Sequence, residues 1–156
     1  MYFALADGII LFDKDSGVAP LIVTAKEILK NAPPVNKKWE NERYKTKRRS
    51  DLIEIYMDLL DVEDETEFNY IVALLIANAL PLVLENNKLW PRTRKTTISH
   101  LKSQCFNGYK YVETLLSSVS SLQEKRDAAK GLTDYALKPH GGILNGDALI
   151  FRITKQ

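Results

Sequence analysis

The chain has 156 residues, of which 22 are lysine or arginine, 20 are aspartate or glutamate and 45% are hydrophobic. This balance predicts a single compact domain, 1–156, with a core large enough to fold without disulfides. Cys105 is the only cysteine, which excludes an internal disulfide, and with His100 and His140 it offers too few ligands for a typical zinc site. We therefore expect no metal, no cofactor and a reducing, cytoplasmic location.

Both ends of the chain carry patterns typical of β-hairpins. Ile9 to Phe12 and Val18 to Val23 are apolar runs on either side of a turn sequence, and Pro20 places the second run at a sheet edge. Near the C-terminus, Asn145-Gly146 separates Ile143-Leu144 from a second apolar run that extends to Thr154. Short hairpins are not stable alone, so we expect the two to pair into one small β element.

The middle of the chain predicts helices. Thr24 with Glu27 favours a helix over 25–32, Ser50 one over 51–60, and Asp64 with Glu67 one over about 65–84. The last of these is apolar on nearly every side, so we expect it to be central, with Pro81 kinking or ending it. We predict full burial of five of its residues: Ile71, Leu74, Leu75, Leu82 and Val83.

Two further helices follow in the C-terminal half. A heptad-like apolar pattern predicts one long helix from Thr96 or Thr97 towards Leu122, with Gly108 permitting close approach of a neighbouring helix. Ser120 and Ser121 can start a separate helix that Gly131 ends. The predicted fold class is mainly α: a helical bundle around the central apolar helix, with the small β element.

Charge is distributed in blocks, although the net charge is only +2. Residues 37–49 carry +5, residues 50–67 carry −8, and residues 88–111 carry +6 without any acid. Both basic blocks also contain tryptophan and tyrosine. Cations neutralise phosphates and aromatic faces stack on unpaired bases, so this combination suits RNA or single-stranded DNA. Solvated surface with packed tryptophans, and pairing of 50–67 with a basic block, are the alternatives.

The candidate nucleic-acid-binding residues are the cations and aromatics of these blocks. The first block, 37–49, contributes Lys37, Lys38, Trp39, Arg43, Tyr44, Lys45, Lys47, Arg48 and Arg49. The second block, 88–111, contributes Lys88, Trp90, Arg92, Arg94, Lys95, His100 and Lys102. Charge reversal at Arg48 and Arg49 is expected to weaken binding without disturbing the fold.

Two short motifs resemble those of enzyme families. The sequence IILFDKDSGV, 9–18, resembles the first motif of haloacid dehalogenase-like phosphatases, which implies a nucleophilic Asp13 and a general acid/base Asp15. Arg94 and His100 resemble the R-x4-6-H motif of HEPN ribonucleases, which implies an imidazole moving protons beside a guanidinium that stabilises charge. A hairpin turn at 13–17 and a phosphate-binding or solvated His100 are the alternatives to catalysis.

Together these patterns favour a non-catalytic, nucleic-acid-binding accessory subunit of a larger ribonucleoprotein or defence complex. In general character the chain is similar to the small subunits of CRISPR effector complexes. A protein-binding immunity, inhibitor or adaptor module is the main alternative, and a HEPN-like ribonuclease is a minor one. The expected partners are RNA or single-stranded DNA and a larger protein complex or a second copy; no membrane partner is expected.

Overall fold

The computed structural model describes residues 16–143, together with Ala6, Ile10 and Lys14. The described part is mainly helical, as predicted. Its α-helices are α1 (Val18–Lys30), α2 (Glu42–Asp61), α3 (Glu65–Asn86), α4 (Thr97–Gln104), α5 (Phe106–Leu116) and α6 (Leu122–Leu137). Two 3-10 helices, Lys37–Glu40 and Lys138–His140, precede α2 and follow α6.

The predicted β element is not supported, because no strand occurs among the described residues. Val18 to Val23 was expected to be an edge strand but forms the start of α1. Pro20 lies in the first turn of that helix, where a missing N–H removes no helical hydrogen bond. Thr24 is therefore inside the helix and donates to the Pro20 carbonyl at 2.9 Å. Most of the first N-terminal strand and nearly all of the C-terminal hairpin lie outside the described residues.

The central helix α3 is confirmed. Asp64 caps it by accepting from the Glu67 backbone N–H at 2.9 Å, as predicted. Pro81 does not end the helix, which continues to Asn86. Leu80, Leu82, Val83 and Leu84 are all buried around it. Burial of these side chains favours a continuous helix by more than the roughly 3 kcal/mol that an internal proline costs.

Helices α2, α5 and α6 pack against α3, and α6 also packs against α2 and α5. Of the five α3 residues predicted to be fully buried, Leu75, Leu82 and Val83 are. The prediction is wrong for Ile71, which is half-buried, and for Leu74, which is 37% exposed. Both were assigned to the core because α3 is apolar all round, but the neighbouring helices do not cover every side of it.

By length and composition α3 is apolar enough to cross a membrane. Its mean hydropathy is 1.7 over an 18-residue window, and it is the one helix of the described part that reaches this level. Half of that window is buried inside the protein. The core helix of a bundle has the same composition, so this apolarity is explained by the position of α3 among its neighbours.

The helix predicted from Thr96 or Thr97 is two helices. Cys105 separates α4 from α5 with φ −145° and ψ 68°, and its side chain is buried as expected. The heptad-like pattern crosses this break because both helices place their apolar residues against the same core. Val119, the next position of the pattern, is 92% exposed because it lies beyond the end of α5.

The start of α6 is confirmed and its predicted end is wrong. Ser121 and Glu124 form a reciprocal capping box, but the helix continues beyond Gly131 to Leu137. Gly131 instead gives space to Tyr111 of α5: a Cβ there would lie 2.3 Å from the ring atom Cε1. Gly108 permits the predicted close approach, since its Cβ would lie 3.1 Å from Val83 Cγ1.

Candidate nucleic-acid interface

The first basic block is helical rather than a mobile loop. It comprises the 3-10 helix and the N-terminal half of α2, which Asn41, not Ser50, caps by accepting from the Tyr44 backbone N–H at 3.1 Å. Helix dipoles favour acids at the N-terminus and bases at the C-terminus, but α2 has mainly bases near its start and no base in its last turn. Helix stability therefore does not account for this order of charges.

The cations of the first block border an open groove on the protein surface. Lys37, Lys38, Arg43 and Lys47 line it together with Tyr44 and Asn41. Lys47 is paired with Asp51 at 3.0 Å, and the neighbouring Lys45 is paired with Glu42 at 2.6 Å. Lys37, Lys38 and Arg43 are exposed and form no salt bridge with another described residue. These three side chains are the ones available to an anionic ligand.

Trp39 is a half-buried aromatic at one end of this block. Its ring stacks on His140 with centroids 3.7 Å apart and planes 12° from parallel. Tyr44 meets it edge-on at 5.1 Å. The Nε2 atom of His140 lies 2.8 Å from the Asn86 side-chain oxygen, and Asn86 donates in turn to the Ala136 carbonyl. The position of the Trp39 ring is therefore fixed from α3 and α6.

Arg49 holds the fold together instead of facing a ligand. Its Nη2 donates to the carbonyls of Gly141 and Gly142, both at 3.1 Å. Gly141 has φ +98°, a conformation that favours glycine, and its carbonyl follows directly on the turn that carries His140. The Nε atoms of Arg48 and Arg49 are both buried. The expectation that charge reversal at Arg48 and Arg49 spares the fold is therefore wrong for Arg49.

We expect Arg49→Ala to lower the free energy of unfolding by about 1.5 kcal/mol, because two hydrogen bonds from a charged donor are lost. Urea unfolding followed by circular dichroism measures this change. The matched control is Arg43→Ala, an exposed arginine on the same helix, which is expected to change stability by less than about 0.5 kcal/mol. Equal effects of the two substitutions would contradict the structural role of Arg49.

The second basic block lies on the connector between α3 and α4 and on α4 and α5. Trp90 donates from Nε1 to the Asn31 carbonyl at 2.6 Å, which attaches this connector to the end of α1. Lys88, Trp90, Arg92 and His100 line a groove there with Lys30. Arg94 and Lys95 are exposed on the turn before α4, and the Lys102 ammonium lies 5.0 Å from the Tyr109 ring centre.

His100 is set beside Arg92 within this groove. Its Nε2 is buried and has no hydrogen-bond partner in the described part of the chain. Burial, with a smaller effect from the Arg92 charge, holds the pKa of His100 below its usual value. The groove is lined by Arg92 and not by Arg94, the arginine of the ribonuclease-like motif. Asp13 and Asp15, the phosphatase-like pair, lie outside the described residues.

The two basic blocks meet at a pocket of about 490 Å³. Its walls are Trp39 and His140 on one side and the connector residues Lys88 and Leu89 on the other. Lys88 and Leu89 also line the groove that contains Arg92 and His100, so the two concavities are continuous. Five prolines complete the apolar lining: Pro33, Pro34, Pro81, Pro91 and Pro139.

Three lining residues of this pocket were not among the predicted site residues: Glu85, Asn86 and His140. Glu85 and Asn86 belong to the end of the central helix, where the apolar pattern drew attention to the core. His140 follows a helix that was expected to end at Gly131, so no pattern connected it with Trp39. The pairs Pro33-Pro34 and Pro139-His140 are the only local signals that could have indicated a rigid, non-helical wall.

The acidic segment 50–67 is not folded against the first basic block. Within the described chain its one salt bridge is Lys47 with Asp51, one helical turn apart. Asp58, Asp61 and Glu63 are exposed. No group of three or more potential metal ligands occurs among the described residues. Comparison of the chain with known protein families, curated proteins and solved structures finds no match.

Proposed function

We propose that this protein is a non-catalytic accessory subunit that binds RNA or single-stranded DNA within a larger ribonucleoprotein or defence complex. The observation that carries the proposal is the continuous concave surface to which both basic blocks contribute. It joins the Trp39 pocket to the Arg92 and His100 groove through Lys88 and Leu89. An unpaired strand presents phosphates and base faces in alternation, which is the chemistry that such a surface accommodates.

Two further observations support nucleic acid over an inert charged surface. Lys37, Lys38 and Arg43 form no salt bridge with another described residue, so their charges are not neutralised locally. The order of charges along α2 also opposes the helix dipole, at a cost of typically 0.3–1 kcal/mol for each charge near a terminus. A charge order that the helix itself does not favour is expected where the charges act on a ligand.

Fluorescence anisotropy with labelled ten-nucleotide RNA, ten-nucleotide DNA and duplex DNA tests the proposal at several salt concentrations. Binding to single strands should weaken linearly in log affinity against log salt, with a slope of about 0.7 for each phosphate contacted. The RNA and DNA arms establish which strand is preferred. If no oligonucleotide binds at low salt, nucleic acid is not a direct ligand of this protein.

The triple variant Lys37→Glu, Lys38→Glu, Arg43→Glu should bind single strands at least about tenfold more weakly and lower the salt slope by about 2, because about 0.7 is lost for each phosphate contact. The fold should persist, since acids suit the first turns of helices. The control variant reverses Lys14, Lys125 and Lys130, three lysines outside the basic blocks, and changes the net charge equally. Equal weakening of both variants would show attraction by net charge alone.

A protein-binding module is the second candidate function, and the exposed acids favour it. Asp58, Asp61 and Glu63 present negative charge near the C-terminal end of α2 and make no salt bridge within the described chain. Such a surface is complementary to a basic protein and would steer its association. Failure of every oligonucleotide to bind, together with salt-sensitive capture of a basic protein that Asp58→Lys and Asp61→Lys abolish, would favour this function.

A further inference from the structure

The pocket between the basic blocks has the size and the lining of a small-ligand site. Its volume of about 490 Å³ lies within the range of roughly 300–1,000 Å³ typical of such sites. The lining is mainly apolar and comes from segments that prolines hold rigid. The stacked rings of Trp39 and His140 form part of one wall. A flat aromatic ligand matches this lining better than a flexible aliphatic chain does, because ring faces stack on one another and on proline.

Two polar atoms of the pocket residues have unmet hydrogen bonds. Oε1 of Glu85 is a buried acceptor, and Nε1 of Trp39 is a buried donor; neither has a partner among the described residues. A buried polar atom without a partner destabilises the protein by about 1–3 kcal/mol. A ligand that donates to Glu85 and accepts from Trp39 would therefore recover free energy that the empty pocket lacks.

The His140 ring is suited to stacking in its neutral form. Burial lowers the pKa of His140, and the charges of Lys45 and Arg49 lower it further, while Glu85 opposes them. The bond between its Nε2 and the Asn86 side chain fixes the plane of the ring against Trp39. Lys88 stands at the pocket, and Lys37 and Lys38 lie beside Trp39 in the chain, so phosphates attached to a bound ring would meet positive charge.

We propose that this pocket binds one unpaired guanine of a single strand, an inference that rests on the proposed function. Guanine carries two adjacent donors, N1–H and the N2 amino group, and beside them the acceptor O6. A carboxylate has two oxygens that accept such a pair of donors, and the indole N–H donates to the acceptor. Adenine, cytosine and uracil each lack the adjacent pair of donors on this edge, so Glu85 selects guanine.

Both unmet atoms are sealed from solvent in the unliganded protein. Binding therefore includes rotation of the Glu85 and Trp39 side chains towards the base. Glu85 lies at the C-terminal end of α3, where its side chain is only half-buried. A side chain in that position can change rotamer without moving the backbone of the central helix.

The test compares U10 RNA with the same strand carrying one central guanine, adenine or cytosine, and repeats the comparison with dT10 DNA. Wild-type protein should prefer the guanine strand by about tenfold, the lower part of the range for a good bidentate contact to a base. Glu85→Gln should bring all strands to near parity, because an amide offers only one acceptor. Binding to U10 should be unchanged in this variant.

Glu67→Gln is the matched control, since Glu67 is exposed at the other end of α3 and lies outside the pocket. A guanine preference that Glu85→Gln removes and Glu67→Gln keeps supports the inference. Binding of all strands without preference for guanine, or a preference that survives in Glu85→Gln, overturns the guanine pocket and leaves the proposed function standing. Absence of binding to every strand at low salt overturns both.

Discussion

Leu75→Ala is expected to lower the free energy of unfolding by about 2–5 kcal/mol, the usual cost of emptying a leucine site in a packed core. Leu75 is 0% exposed at the middle of α3, the helix against which α2, α5 and α6 pack. Removing its side chain leaves a cavity that no single neighbour can close. Urea or thermal unfolding measures the loss, and each kcal/mol corresponds to roughly 2–4 °C of Tm at this size.

Leu74→Ala provides the control within the same helix. Leu74 is the preceding residue, has the same helix propensity and is 37% exposed. Its truncation is expected to cost about 1 kcal/mol or less, because little buried apolar surface is lost. Similar losses for the two variants would mean that a further part of the protein, or a second copy, covers the outer side of α3.

Gly131→Ala is expected to destabilise the protein by about 1–3 kcal/mol through overpacking. In an exposed helix the same change stabilises by roughly 0.5–1 kcal/mol, because glycine is the poorer helix former. Here the new Cβ would lie 2.3 Å from Cε1, 2.8 Å from Cδ1 and 2.9 Å from Cζ of the Tyr111 ring. A rigid ring between α5 and α6 cannot move aside without separating the two helices.

The sign of this effect distinguishes close packing from simple helix propensity. Chemical denaturation of Gly131→Ala, Tyr111→Leu and the double variant gives the coupling between the two sites. The smaller leucine makes room for the methyl group, so Gly131→Ala should cost less in the Tyr111→Leu background. A Gly131→Ala protein that is more stable than wild type would contradict the contact with Tyr111.

The features that could be predicted from the sequence are those encoded locally. Asp64 and Ser121 cap helices as expected because each bonds a backbone N–H three residues away. Pro20 was misinterpreted because the same residue suits an edge strand and a first helical turn, and only the following residues decide between them. The break at Cys105 was missed because the apolar spacing continues across it.

The candidate site depends mainly on contacts between distant parts of the chain. Arg49 bonds carbonyls 92 and 93 residues away, and nothing in its neighbourhood separates it from the exposed cations of the same block. The stacking of Trp39 on His140 likewise joins the start of α2 to the end of α6. Composition and charge blocks indicated the right surface, but which cations are available depends on packing.

Helix α1 buries only Ala25, whereas α3 buries nine residues. Local stability follows buried apolar area, so α1 belongs to the part of the molecule that opens most easily, while α3 opens only with global unfolding. Leu29, Lys30, Asn31 and Ala32, at the end of α1 and just after it, form a wall of the groove that contains Arg92 and His100. Lifting this helix would widen that groove while the core stays intact, so access to one part of the basic surface is separable from the integrity of the bundle.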